Sequence, residues 1–253
     1  MTFDPERDQR EHAAENGAVC IVQARMGSSR LPGKMLEDLG GRPLLWHILQ
    51  RARLVGAAVP VVLATTTHAR DDALAEVAAA LGVATVRGDE QDVLGRYLLA
   101  LERHPARWVA RVCGDSPLFD PVHLAEWLDL AAREGADVVR FRDGVCSLLQ
   151  GGEVVSARAL RWSRADAGGD PLATEHVTAW ALQNAPRHPD LMVTAWAEPP
   201  AELVLDVKLS IDTAEDLARL RELYAALWDG GPPVDLRRAA AWLRAWPGQD
   251  ARR

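Results

Sequence analysis

The sequence predicts an α/β fold with a mostly parallel central sheet and helices on both faces. Two observations carry that prediction. Short apolar runs rich in β-branched residues alternate with amphipathic stretches of about 12 residues, the pattern of crossover units. Proline and glycine sit where the period changes, as helix starts and stops require.

Ala18–Val22 is the first buried strand, and it feeds a loop, Gln23–Lys34, containing Gly27, Ser28, Ser29, Pro32 and Gly33. Pro43 opens a helix with Leu44, Leu45, Ile48 and Leu49 on its apolar face. The pattern repeats as strand Val59–Leu63, helix Arg70–Leu81 with Gly82 closing it, and strand Val83–Val86. Helix Asp89–His104, strand Trp108–Val112, helix Pro121–Glu134 and strand Asp137–Phe141 follow. The second part is less regular: strand Gly151–Ser156, helix Ala157–Asp166, a loop at 167–171, helix Glu175–Asn184, strands Leu191–Trp196 and Leu203–Leu209, and helices Thr213–Trp228 and Val234–Trp246. Residues 1–17 are polar and without periodicity and read as a disordered tail; 247–253 read as a frayed end.

The chain has 253 residues, 48% hydrophobic and 26% charged, an ordinary globular balance that excludes disorder and fibrous classes. No apolar run approaches the roughly 18 residues of a membrane span, and the acidic, charged start is unlike a signal peptide, so a cytoplasmic chain is expected. The net charge of −7 argues against wrapping nucleic acid, but a small phosphorylated ligand needs only a local cluster of cations. Cys20, Cys113 and Cys146 lack CxxC spacing and read as reduced core thiols. Nine tryptophans suit core or interface packing.

Parallel sheets bind ligands at the carboxyl ends of their strands, which directs attention to the loops at 23–34, 65–67 and 114–120. In the first, two glycines and two serines let backbone amides converge on an anion, and Arg25, Arg30 and Lys34 add cations beside them. A polyanion such as a triphosphate needs that combination. The spacing is not that of a Walker loop: five residues separate Gly27 from Gly33, and Lys34 precedes Met35. GxGxxG is absent.

Asp115 follows a strand in Gly-Asp-Ser-Pro, a turn that exposes its carboxylate at the sheet's carboxyl edge, with a turn-forming role as the alternative reading. Asp212 precedes a helix, and Asp212-Thr213-Ala214-Glu215 is also a capping box. One or two carboxylates, phosphate oxygens and water are what Mg²⁺ takes at nucleotide sites, and the residues alone leave both roles open.

The stretch Gln23-Ala24-Arg25-Met26-Gly27-Ser28-Ser29-Arg30-Leu31-Pro32-Gly33-Lys34 resembles the nucleotide-binding signature of the acylneuraminate cytidylyltransferase family. That family holds the CMP-acid-sugar synthetases and, more similar here, the spore-coat polysaccharide cytidylyltransferases. The segments Ala64-Thr65-Thr66, Gly88 with Asp92–Tyr97, Arg111–Leu118, Thr174–Thr178 and Ser210–Leu217 resemble its later blocks in order. The resemblance covers 19–142 and 174–228. It departs at 150–156, at Ser116 (often Cys) and at Thr174 (usually Arg).

The resemblance implies a Rossmann-like nucleotidyltransferase domain over 18–246, with an acceptor-binding and dimerisation subregion near 142–200. It implies a CTP-dependent transfer of CMP to a small anionic acceptor (a sugar acid, sugar phosphate or phosphonate), with release of pyrophosphate and with another NTP as an alternative donor. Gln23, Ala24, Arg25, Gly27, Ser28, Arg30, Lys34, Thr65, Asp92, Arg96 and Gly114 would bind the nucleotide. Arg25, Arg30, Lys34 and Asp115 would serve the chemistry, Asp115 and Asp212 would hold Mg²⁺, and Glu175 and His176 would meet the acceptor. A homodimer is expected, with no nucleic-acid or membrane partner. A sugar-nucleotide glycosyltransferase is the first alternative, against which stands the lack of any Asp-x-Asp. A non-catalytic nucleotide-binding module is the second.

Overall fold

A computed structural model describes residues 17–141, 151–189, 192–205 and 207–246. The tail expected over 1–17, apart from Gly17, lies outside them, as do the frayed end at 247–253 and Cys146. Seven strands form one sheet: β1 (Ala18–Gln23), β2 (Val61–Thr66), β3 (Ala84–Gly88), β4 (Trp108–Cys113), β5 (Val138–Phe141), β6 (Gly152–Ser156) and β7 (Thr194–Ala197). The helices are α1 (Leu44–Ala52), α2 (Asp72–Ala80), α3 (Val93–Arg103), α4 (Pro121–Glu134), α5 (Ala157–Asp166), α6 (Pro171–Glu175), α7 (Ala179–Asn184), α8 (Ala214–Leu227) and α9 (Leu236–Ala245).

The sheet order is β3-β2-β1-β4-β6-β5-β7. Every pairing is parallel except those of β6 with β4 and with β5. Successive side chains of a strand enter opposite layers. Cys20 and Val22 of β1 join Ala110 and Val112 of β4 in a core with Leu45 of α1, Leu124 of α4 and Leu220 of α8. Val19, Ile21 and Val109 face the other way, against Tyr97 of α3, Leu160 of α5 and Ala181 of α7. Both faces are covered, so central β1 and β2 read as near-continuous apolar runs rather than alternating. Each fully buried leucine, such as Leu44, Leu45 and Leu49 of α1, contributes about 2 kcal/mol to this packing. Among the described residues no helix is long and apolar enough to cross a membrane.

Helices with strong start signals lie where the sequence puts them. Asp120 caps α4 by accepting from the Val122 amide, with Pro121 in the first turn, and Ser156 caps α5. Two expectations are overturned. Of the helix expected at 175–184 only Ala179–Asn184 forms one, α7; Glu175 instead ends α6, and His176–Thr178 part the two. Val177 is buried in the second core there, and the Thr178 hydroxyl donates to the Glu153 carboxylate, contacts that a continuous helix does not supply. Among the described residues of 203–209 there is no strand: Leu203 closes a short 3₁₀ turn and, with Leu209, packs into the first core. Alternating burial without sheet pairing produces the same pattern as a strand.

The chain runs outward from β1 to β2 and β3, then crosses to β4 on the other side of β1. The loops leaving β1 and β4 therefore diverge and open a crevice at the carboxyl edge. Gly114, just beyond β4, donates its amide to the Gln23 carbonyl at 2.8 Å. A Cβ on Gly114 would sit 2.9 Å from the Ala24 Cβ and closer still to the Gln23 carbonyl oxygen, nearer than real Cβ atoms approach. Gly114→Ala should therefore destabilise the fold by about 1–3 kcal/mol as overpacking does, read as a lower thermal midpoint; an unchanged midpoint would show that the two strand ends can part freely.

Candidate active site

The crevice holds a cleft of about 360 Å³ lined by residues of the loop after β1, the ends of α3 and β4, and Glu175, His176 and Asp212. Its size suits a nucleotide-scale ligand. The loop is organised around the Met26 peptide. The Met26 carbonyl accepts from the amides of Ser28 at 2.9 Å and Gly33 at 3.1 Å, and its own amide donates to Asp71 Oδ1 at 2.8 Å. Ser28 Oγ accepts from the Leu31 amide, completing the turn.

From this loop Lys34 extends inward, only 8% exposed. Its Nζ donates to the Ile211 carbonyl at 2.5 Å and lies 3.1 Å from Asp115 Oδ2 and 3.5 Å from Asp212 Oδ1. Arg30 is largely exposed and reaches Asp212 Oδ1 at 2.8 Å. The Ile211 amide donates to the Asp115 carbonyl at 2.8 Å, so the two aspartate-bearing segments are joined through their backbones. Cationic loop and carboxylates thus share one cleft.

The capping box of α8 begins one residue later than the sequence suggests. Thr213 is the N-cap, its hydroxyl accepting from the Asp216 amide, and Asp216 Oδ2 accepts from the Thr213 amide. Asp216 also takes the Asp212 amide at 3.0 Å and the Lys208 ammonium at 2.7 Å. The Asp212 carboxylate is thereby released from capping; its Oδ2 meets Lys208 at 2.9 Å and its Oδ1 faces Arg30 and Lys34. Burial opposes the charge of Asp212, but the Lys208 hydrogen bond and the charges of Lys34, Lys208 and Arg30 outweigh it and hold the carboxyl below the usual range.

The opposite wall belongs to the sheet face covered by α3, α5 and α7. Arg111 of β4 is almost fully enclosed there: its Nε donates to Gln23 Oε1 at 3.2 Å, and a terminal nitrogen donates to Glu153 Oε2 at 2.6 Å and to Thr178 Oγ1 at 3.4 Å. The Tyr97 hydroxyl donates to the same Gln23 oxygen at 3.0 Å. Arg25 donates to the Glu90 carbonyl at 3.3 Å, and Arg96 donates to the carbonyls of Asp89 and Glu90. Glu90 also pairs with Arg70 and, at 3.0 Å, with His68.

Of the residues expected at the site, Gln23, Ala24, Arg25, Ser28, Arg30, Lys34, Arg96, Gly114, Asp115, Glu175, His176 and Asp212 line the cleft. Gly27, Thr65 and Asp92 do not. Thr65 is fully buried and donates to Asp71. Asp92 caps α3 through the Gly95 amide and takes Arg164 on both oxygens at 2.6 and 2.7 Å. Gly27 turns its bare Cα toward Glu90 and Arg70, where a Cβ would clash. Sequence reasoning misses Ser29, Met35, Val93, Cys113 and above all Arg111 among the lining residues. A charge inside an otherwise apolar strand was the signal for Arg111. Cys20 is a core thiol as expected, pushed up to about 12 by burial. Cys113 instead lines the cleft wall, with burial raising its thiol to about 11. Neither is a thiolate at neutral pH.

Among the described residues no three His, Cys, Asp or Glu side chains gather into a metal cage. Asp115 and Asp212 are hard oxygen donors already gathered around one ammonium, so the donor set fits a divalent cation that draws its remaining ligands from phosphate and water.

The sheet with its switch-point cleft is that of the nucleotidyltransferases. A cytidylyltransferase from Leptospira borgpetersenii superposes with a TM-score of 0.78 at 24% identity, over 90% of this chain and 93% of the other. Rv0371c from Mycobacterium tuberculosis, solved in complex with manganese, superposes with a TM-score of 0.55 at 25% identity, over 81% of this chain and 98% of the other. A family model described as cytidylyltransferase matches residues 19–230, and the chain belongs to that family. It is 34% identical to the spore coat polysaccharide biosynthesis protein SpsF of Bacillus subtilis, over 83% of this chain and 87% of that protein. It is 30% identical to the 3-deoxy-manno-octulosonate cytidylyltransferase of Rhodospirillum centenum, over 83% and 95%.

Burial likewise opposes Asp216, but Lys208 and the two capping amides hold its carboxyl low. A folded-state pKa below the unfolded one gives stability that is complete above about pH 4 and is lost as pH falls through the folded value. Asp216→Asn should lower the thermal midpoint at pH 7, and the gap to the native chain should narrow as pH falls below about 4. A gap that stays constant over that range would contradict the assignment.

Proposed function

We propose that this cytidylyltransferase transfers CMP from CTP to a sugar acid in a Mg²⁺-dependent reaction that releases pyrophosphate. The single observation that carries the reading is the convergence of Arg30 and Lys34 on Asp115 and Asp212 within one cleft. In the reaction an acceptor oxygen bonds to the α-phosphorus, the bond from that phosphorus to the bridging oxygen of the β-phosphate breaks, and the acceptor's proton is lost. Such transfers need little covalent help from the protein; positioning and charge neutralisation carry the rate.

Arg25, Arg30, Lys34 and the loop amides neutralise the β- and γ-phosphates and the pyrophosphate that departs. Asp115 and Asp212 would hold Mg²⁺, which supplies charge neutralisation at the α-phosphate and orients the nucleophile. Lys34 is buried between these carboxylates, so its ammonium stays within reach of phosphate oxygens bound there. The acceptor takes the side of the cleft that Glu175 and His176 line, with Arg111 in the same cleft. A sugar acid fits the relatives, one of which is a 3-deoxy-manno-octulosonate cytidylyltransferase.

The test is pyrophosphate release from each of four NTPs with a panel of sugar acids, sugar phosphates and phosphonates, with and without a chelator. CTP with a sugar acid should support turnover that the chelator abolishes. Lys34→Ala should lower that turnover at least about a hundredfold while leaving the circular dichroism spectrum unchanged. Undiminished turnover in this variant would remove the loop from the reaction, and release of a nucleoside diphosphate in place of pyrophosphate would refute the reaction type.

A further inference from the structure

Asp71 lies outside the cleft, in the 3₁₀ turn Ala69–Asp71 that leads into α2, and its carboxylate is fully buried. Four hydrogen bonds reach it. Oδ1 accepts from the Met26 amide at 2.8 Å; Oδ2 accepts from the Thr66 amide and the Thr65 hydroxyl, each at 3.2 Å, and from the Thr66 hydroxyl. All four donors are neutral. Burial works against the charge, but these donors outweigh it and keep the carboxyl below its ordinary range, so the group is an anion at neutral pH.

A buried anion held by neutral donors is a costly way to close a turn, and the end of β2 needs no such charge to pair with its neighbours. Through a hydrogen bond the charge reaches the Met26 peptide, and through space it also favours the Arg96 guanidinium. That peptide is the hub of the loop: its carbonyl holds the Ser28 and Gly33 amides, Arg25 precedes it, and Gly33 leads directly into Lys34. A displacement of Met26 therefore carries to the cations on both sides of it.

We infer that Asp71 is a positioning residue for nucleotide binding, clamping the loop after β1 through the Met26 amide, with the Thr65 and Thr66 hydroxyls holding the clamp. The inference rests on the reading of that loop as the nucleotide site. It also gives Thr65 a role: it acts on the ligand through Asp71 and not by contact.

Three proteins decide the matter: the native chain, Asp71→Asn, which keeps the shape but loses the charge, and Thr65→Val, which removes one supporting donor. CTP affinity is measured by titration calorimetry with Mg²⁺ present, and amide hydrogen exchange is read peptide by peptide. Asp71→Asn should weaken CTP about tenfold or more and Thr65→Val roughly threefold, in line with losing charge-assisted and neutral hydrogen bonds. Exchange at residues 26–34 should quicken in both variants while β1 and α3 keep their protection, a local signature that general destabilisation does not give. If Asp71→Asn does not fold, Thr65→Val carries the same test. Variants that bind CTP within twofold of the native chain and leave exchange at 26–34 unchanged would overturn the inference, as would faster exchange spread evenly over the sheet. A native chain that fails to bind CTP would instead defeat the nucleotide assignment, and the exchange comparison would still report on the clamp.

Discussion

One buried ammonium organises the functional end of the molecule. Lys34 Nζ bonds the Ile211 carbonyl and lies against the carboxylates of Asp115 and Asp212, which come from segments 81 and 178 residues away along the chain. A lysine so enclosed is tolerated only because those oxygens replace its water. The same contacts bring into one small volume the groups that a nucleotide triphosphate and its metal require: cations for the phosphates and hard oxygens for the cation that accompanies them. Arg30 adds a second, more exposed charge from the open side, and Lys208 pairs with the other oxygen of Asp212.

The sheet order makes this meeting possible. Because β4 returns beside β1 after the excursion through β2 and β3, the loops that leave the two strands separate and the cleft opens between them. The sheet also divides the cleft. Lys34, Asp115 and Asp212 join segments that pack with α8, while Arg111 and Gln23 lie on the side covered by α3 and α7. Strand alternation sends Gln23 and Arg111 to the second of these sides, away from the layer that holds Val22 and Val112.

Much of this was legible in the sequence, and the exceptions have physical causes. The strands from β1 to β5 and the helices between them show in hydrophobic period and in caps such as Asp120-Pro121, because both sheet faces are covered by helices. The loop from Gln23 to Lys34 declared itself through its glycines and cations. The second half was harder: Val177 and Thr178 break a helix through tertiary contacts with the core and with Glu153, and Leu203 and Leu209 are buried without strand pairing. Asp212 was ambiguous because two overlapping capping boxes exist, and only the fold shows that Thr213 and Asp216 use theirs. The resemblance puts Thr65 at the nucleotide, whereas its hydroxyl turns inward to Asp71. Arg111 was read as part of a strand, since sequence does not show which way a strand residue faces.

In the proposed reaction the two carboxylates complete a metal site only together with a nucleotide. Manganese titrations followed by electron paramagnetic resonance, with and without a non-hydrolysable CTP analogue, test it most directly. Binding should be weak to the protein alone and at least about tenfold tighter with the analogue, and Asp115→Asn should lose that gain. Binding that is equally tight without the nucleotide, or that survives in Asp115→Asn, would contradict it.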